Sequence, residues 1–301
     1  DGNSLILRQR LRWRGHDAEI VRITLDDEVP DSCDIYAVGG GEDTAQKLAC
    51  RHLSSSPGLQ RAAARGVPVL AICAGMQVFG EWFVVSDGSR APGLGLLDIT
   101  TSPQASRSIG ELVVQPQLDG LTQPLTGFEN HMGATVLGPD AASLGRVTSG
   151  VGNGIPADPA GAGAGSGAAN AGSGSAPGDA GQRVEGVVQG SVIATYMHGP
   201  VLARNPELAD LLLCRALGVD SLPPVDVPAV EQEILGGEAR EARRFVEVGR
   251  PSNELAPARR RMDVHLDHAR VGRHAELREA VVARRRVALD HDGDRELAHR
   301  P

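Results

Sequence analysis

The first turn of hydrophobic patterning lies over residues 4–14, where Leu5, Ile6, Leu7, Leu11 and Trp13 are interleaved with Arg8, Arg10, Arg12 and Arg14. That spacing predicts an amphipathic helix, closed by Gly15. Ala18 to Leu25 and Asp34 to Val38 read as short strands, the second running directly into Gly39-Gly40-Gly41. Thr44 to Ser54 and Leu59 to Arg65 suit helices, and Gly66 stops the latter. Val67 to Ile72 is a continuous apolar run, the pattern of a strand covered on both faces. Helical residues follow from Ala74 to Phe83, and Leu94 to Leu137 is more strand-like but irregular. Val184 to Gln189 and Ser191 to Met197 predict two further strands. Pro206 to Leu217 predicts a helix offering Leu208, Leu211, Leu212 and Leu213 to a core. Strands alternating with helices predict an α/β fold built on a mostly parallel sheet.

Two composition breaks divide the chain. Residues 159–181 contain only Gly, Ala, Ser, Pro, Asn and Asp, which leaves no side chain able to anchor a core and predicts a flexible insertion. From about residue 236 the chain is dominated by charge, with 15 Arg, 12 acidic residues and five of the nine histidines. The expected organisation is one domain over 1–220 and a peripheral or disordered tail over 221–301, whose one candidate element is a charged helix around Glu276 to Arg286.

Bulk composition narrows the function. The 301 residues are 41% hydrophobic, enough for a sizeable core, and no stretch approaches the roughly 18 apolar residues of a membrane span. A net charge of −8 argues against a nucleic-acid footprint. Cys33, Cys50, Cys73 and Cys214 form no C-x-x-C pair and no zinc spacing, so they read as reduced cytosolic thiols with no metal site. Of the 30 basic residues only Lys47 is a lysine, and no G-x-x-x-x-G-K-[ST] phosphate loop occurs. The opening Asp1-Gly2-Asn3-Ser4, without an initiator Met, reads as the start of a fragment.

The segment V-L-A-I-C-A-G-M-Q places Cys73 where a buried strand ends and a helix begins. Such a turn strains the nucleophile's backbone and requires small residues two before and two after it, here Ala71 and Gly75. The helix start favours thiolate, and the Ala74 N–H is a donor to a tetrahedral oxyanion. Taken alone, Cys73 also has the reading of an inert core cysteine. Two companions tilt the reading toward chemistry. Gly40 and Gly41, in the glycine turn after a strand, offer further oxyanion N–H groups, although such a turn by itself is more often only a loop. His198, in A-T-Y-M-H-G-P, follows an apolar strand at the sheet edge where α/β folds gather their sites, and is the natural general base for Cys73. A lone loop histidine is otherwise solvated surface.

Together with these two segments, G-N-S-L-I-L-R-Q-R-L-R-W-R-G, V-G-G-G-E-D, G-L-L-D-I-T-T, G-F-E-N-H-M-G-A-T and G-V-G-N resemble the class I (triad-type) glutamine amidotransferases, in the cobyric acid synthase-like branch. Within that branch the segments are most similar to the glutaminase subunits of lipid II isoglutaminyl synthases. The resemblance covers residues 1 to about 220, apart from the Gly/Ala-rich insertion. It implies a flavodoxin-like, mostly parallel sheet with flanking helices and Cys73 at the nucleophile elbow. It also implies a Cys73–His198 pair and a glutamine-binding arginine at Arg107. Two departures stand out: Pro200 occupies the position where many class I members carry a histidine-orienting Glu, and the family's first strand is missing, which predicts a sheet one strand short.

The implied reaction is hydrolysis of L-glutamine to glutamate and ammonia, with no cofactor in this chain. The resemblance places ATP and Mg on a Mur-ligase-like partner that amidates the α-carboxylate of D-glutamate in the lipid II stem peptide. That corresponds to a cytoplasmic heterodimer visiting the inner membrane face during peptidoglycan synthesis. The alternatives are the glutaminase subunit of another cobyric acid synthase-like amidotransferase, a catalytically silent scaffold that keeps the fold, and an unrelated cysteine hydrolase.

Overall fold

A computed structural model of the chain describes residues 2–156, 183–225 and the backbone of 280–284. The order is α1 (Gly2–Arg12), β1 (Glu19–Ile23), β2 (Ile35–Val38), α2 (Asp43–Ser55), α3 (Gly58–Ala64), β3 (Val69–Ile72) and α4 (Ala74–Phe79). It continues through β4 (Trp82–Val84), β5 (Arg90–Pro92), β6 (Ile99–Pro116), β7 (Leu125–Leu137), β8 (Gly145–Ser149), β9 (Val184–Glu185), β10 (Val187–Gln189) and β11 (Val192–Thr195). The last elements are α5 (Val201–Arg204), α6 (Pro206–Leu217) and β12 (Ala280–Arg284), and all the described elements fall in one unit.

The first sheet has the order β1-β12-β2-β3-β11-β10, and its centre, β2-β3-β11, is parallel. Each residue of β2, β3 and β11 is buried, which is why these strands read as unbroken apolar runs rather than as alternation. The mixed α/β architecture with a parallel centre is the one the pattern predicts. The flanks differ, because β10 is antiparallel to β11 and β12 is antiparallel to both β1 and β2.

Three departures from the pattern have physical causes. The helix expected to reach Phe83 ends at Phe79, because Gly80 lies so close to Ile99 O (2.7 Å from where its Cβ would sit) that the chain leaves the helix and enters β4. The irregular stretch from Leu94 to Leu137 supplies the long strands β6 and β7 of a second sheet of order β5-β4-β6-β8-β9, with β7 paired to β6 and a register shift between Pro103 and Ser108. Its long strands β6 and β7 bury one face and expose the other, and their polar inner residues hide that alternation from a hydropathy reading. In the tail, the backbone of Ala280–Arg284 is a strand inside the first sheet where a charged helix was expected. The first sheet holds six strands among the described residues, one of them supplied by the tail. The expected insertion 159–181 and the remainder of the tail lie outside the described residues.

The first and last helices close over the sheet. α6 begins with Pro206 and ends at Gly218 in the left-handed region (φ 67°), the usual proline-start and glycine-stop pair. Asp210 on α6 receives Arg10 through two hydrogen bonds (2.7 and 2.6 Å) and Arg14 through one (2.9 Å), clamping α1 to α6. Between α5 and α6, Asn205 bonds both the Thr126 N–H and C=O (2.8 Å each), fixing this end of the chain to β7.

Gly75 sets how closely α4 packs on β2. A Cβ there would lie 2.9 Å from Val38 O and 3.1 Å from Gly39 O, so α4 approaches the end of β2 only because position 75 has no side chain. Gly75→Val is expected to destabilise the fold by about 1–3 kcal/mol through overpacking. The check is a lower urea midpoint at unchanged slope.

Candidate active site

Cys73 occupies the junction between β3 and α4 at φ 52° and ψ −108°, and among the described residues it is the one non-glycine residue with positive φ. The conformation is imposed from both sides. The Cys73 N–H donates to Thr195 O on β11 (2.8 Å), and its C=O accepts from Gln77 N (3.2 Å) inside α4. A strained turn at a strand end is the geometry the segment predicts, and it leaves Cys73 9% exposed.

His198 follows β11 and is held by its backbone. It exchanges two hydrogen bonds with Phe128 of β7, His198 N to Phe128 O at 2.8 Å and Phe128 N to His198 O at 3.2 Å. Gly40 shows how near this histidine lies to the cysteine: a Cβ at Gly40 would be 3.3 Å from Cys73 Cβ and 3.4 Å from His198 Cε1. One methyl group would touch both residues. The ends of three adjacent strands, β2, β3 and β11, thus converge on one spot. A Cβ at Gly41 would meet Ala45 of α2 at 3.3 Å. The Ala74 N–H acts to lower the Cys73 thiol pKa.

Arg107 lies on β6 within the irregular register between Pro103 and Ser108, and its Nε donates to Asn130 Oδ1 of β7 at 2.6 Å. It is exposed, yet its charge reaches both Cys73 and the buried His131. The predicted residues Cys73, His198, Gly40, Ala74 and Arg107 therefore share one neighbourhood. Asn130 was not anticipated, nor was the buried group on the inner face of β7. The signal was present in G-F-E-N-H, where Glu129 and His131 alternate with Phe128 and Asn130 and put two ionisable residues on the core-facing side.

That inner face carries a connected polar layer. The His131 ring stacks on Tyr196 (centroids 3.7 Å apart, planes 10° apart) and its Nδ1 bonds Gly133 O at 2.8 Å. The Tyr196 hydroxyl bonds Thr135 Oγ1 (2.7 Å) and accepts from Gln77 Nε2 (3.0 Å), and Gln77 Oε1 accepts from Gln46 Nε2 (2.7 Å). Glu129 accepts the N–H groups of Val151 and Gly152 at 2.8 and 2.9 Å. Burial lowers the His131 pKa to about 4, so its 3.8 Å approach to Glu129 is not a charged pair near neutral pH.

The electrostatics of the pair itself differ from the sequence expectation of a helix-stabilised thiolate. Burial pushes the Cys73 thiol up to about 11, against the Ala74 N–H and the Arg107 charge, while Glu185 pushes the same way as burial. α4 has only six residues, too short for its dipole to offset that desolvation. Burial also lowers the His198 pKa, and His198 Nε2 is buried without a hydrogen-bond partner. The resting pair is a thiol beside a neutral imidazole. Among the described residues no carboxylate forms an ion pair with His198.

Residues 3–206 match the family model of the CobB/CobQ-like glutamine amidotransferase domain, and the chain belongs to that family. It is a glutamine amidotransferase. Over 224 residues it is 33% identical to the lipid II isoglutaminyl synthase (glutamine-hydrolyzing) subunit GatD of Staphylococcus aureus (strain N315), covering 74% of this chain and 80% of that protein. The GatD subunit of Streptococcus pneumoniae (strain ATCC BAA-255 / R6) is 30% identical over 244 residues, covering 80% and 83%. A cobyric acid synthase of Pelotomaculum thermopropionicum is 34% identical over 148 residues, which span 44% of this chain and 28% of that one.

With its thiol at about 11, Cys73 in the free chain is expected to alkylate with iodoacetamide at a rate still rising at about pH 9.5, beyond the ordinary cysteine value of about 8.5. Peptide-level mass spectrometry across this range checks it, and a plateau below about pH 8 would show a stabilised thiolate instead.

Proposed function

We propose that the chain is the glutaminase subunit of a lipid II isoglutaminyl synthase. The observation that carries the chemistry is the meeting of Cys73, His198 and Gly40 within the width of one methyl group. The Cys73 sulfur attacks the side-chain amide carbon of L-glutamine as its proton passes to His198. The N–H groups of Ala74 and the Gly40-Gly41 turn receive the oxyanion. His198 then gives its proton to the departing ammonia, leaving a glutamyl thioester. Water, deprotonated by His198, attacks the thioester and releases glutamate. Arg107, braced by Asn130, grips the α-carboxylate of the substrate.

The ammonia goes to a Mur-ligase-like partner that binds ATP and Mg and amidates the α-carboxylate of D-glutamate in the lipid II stem peptide. The extent of similarity favours this acceptor over a cobyrinate. Both GatD relatives are matched over at least 80% of their own length, against 28% for the cobyric acid synthase. Lipid II chemistry places the complex in the cytoplasm at the inner membrane face. Among the described residues no helix is long and apolar enough to cross a membrane.

The test is a glutaminase assay of the chain with and without the co-expressed ligase, followed by analysis of the amidated stem peptide. Cys73→Ala is expected to abolish ammonia release from glutamine while leaving partner binding intact, and unchanged release would overturn the nucleophile assignment. Arg107→Ala is expected to raise KM for glutamine about 10- to 100-fold, the loss of a charged hydrogen-bonding pair, while the complex's use of free ammonia is unaffected. An equal fall in ammonia-dependent activity would make Arg107 structural.

A further inference from the structure

The fully buried carboxyl group of Glu185 has no part in the chemistry above. It closes β9, and its Oε1 accepts the Thr195 hydroxyl at 2.5 Å and the Tyr196 N–H at 2.8 Å. The other oxygen, Oε2, is buried with no hydrogen-bond partner. Burying a carboxyl group with half its acceptor capacity unmet is costly, so a position occupied this way calls for a purpose beyond filling space.

The contacts of Thr195 supply one. Its hydroxyl donates to Glu185 and accepts the Met197 N–H (3.0 Å), so the carboxylate orients a hydroxyl that in turn fixes the residue before His198. The Thr195 carbonyl accepts the Cys73 N–H (2.8 Å), which helps hold the strained nucleophile. Glu185 also takes the Tyr196 N–H directly, so the backbone from Thr195 to Met197 is pinned just where it leaves β11. One buried acceptor thus governs the turn to which both members of the catalytic pair are attached. It does so through the strand that carries the histidine, and touches neither ring nor sulfur. Pro200 stands where many class I members carry a histidine-orienting carboxylate, and the restraints seen on His198 among the described residues run through its backbone.

We propose that Glu185 is the positioning residue of the Cys73–His198 pair, acting through the Thr195 hydroxyl and the Tyr196 N–H. This rests on the reading of Cys73 and His198 as the glutaminase pair.

Three variants separate acceptor geometry from charge and from bulk. Glu185→Gln keeps a carbonyl acceptor for Thr195 and Tyr196, Glu185→Ala removes it, and Thr195→Val removes only the hydroxyl at nearly constant shape. The expected result is a kcat for glutamine hydrolysis within about threefold of the parent for Glu185→Gln. A fall of about tenfold or more is expected for Glu185→Ala and Thr195→Val, with KM within about twofold, because misplacing a reacting group by a fraction of an ångström acts on the chemical step. Unfolding midpoints are measured alongside. Should Glu185→Ala fail to fold, Thr195→Val still decides. Thr195→Val at parental kcat, or Glu185→Gln as damaged as Glu185→Ala, would overturn the proposal. Iodoacetamide alkylation of Cys73 at fixed pH gives a readout independent of glutamine. Slower alkylation in Thr195→Val, with Glu185→Gln at least as fast as the parent, supports positioning even where the parent shows no glutaminase activity. Equal rates in all three chains overturn it. A failure of the glutaminase reading appears instead as a parent chain indistinguishable from Cys73→Ala.

Discussion

Holding Cys73 at φ 52° and ψ −108° costs about 1–3 kcal/mol for a residue with a side chain, and the surrounding structure over-determines it. Ahead of it, β3 is buried throughout and paired in parallel on both edges, so the strand cannot twist to relieve the turn. Behind it, α4 starts at once and presses Gly75 against the carbonyls that end β2. From the side, Thr195 O takes the Cys73 amide. Each of these restraints depends on an unbroken parallel centre. The apolar runs Ile35–Val38, Val69–Ile72 and Val192–Thr195 therefore set the active site as much as the core.

The same parallel centre explains why the site was legible from sequence. Parallel strands buried on both faces are continuous apolar words, and whatever follows them emerges at one edge of the sheet. Gly39-Gly40-Gly41 after β2, Cys73 after β3 and His198 just past β11 are one edge read three times. Arg107 was legible only through family resemblance, because an exposed arginine on a long strand has no local signature. The second sheet was obscured for the opposite reason. Its inner face carries Thr101, Gln104, Ser108, Glu129, His131 and Thr135, whose hydrogen bonds and stacking run to one another, to the backbone and to Tyr196, and leave little hydrophobic alternation to read. The strand at Ala280–Arg284 was out of reach because five residues flanked by arginines suit a helix or a strand equally. Only partners more than 200 residues away in sequence, β1 and β2, decide between them.

The buried polar layer and the electrostatics of the pair belong to one physical problem. Burial raises the Cys73 thiol pKa and lowers that of the His198 imidazole, so proton transfer from sulfur to ring is uphill. Thiolate and imidazolium attract strongly at this depth, and that attraction offsets the desolvation only when the two groups are held at contact geometry. Precise placement of His198 is therefore an energetic requirement for forming the nucleophile at all. No carboxylate pairs with the ring among the described residues, and its placement falls to the backbone: the Phe128 bridge on one side and the Thr195–Met197 turn on the other. The Arg107 charge favours the Cys73 thiolate but does not offset the burial of the thiol. The neutral resting pair has a further consequence. A thiol at about 11 is a poorer target for oxidants than an ordinary cysteine, so the burial that disfavours the thiolate also lowers the reactivity of Cys73.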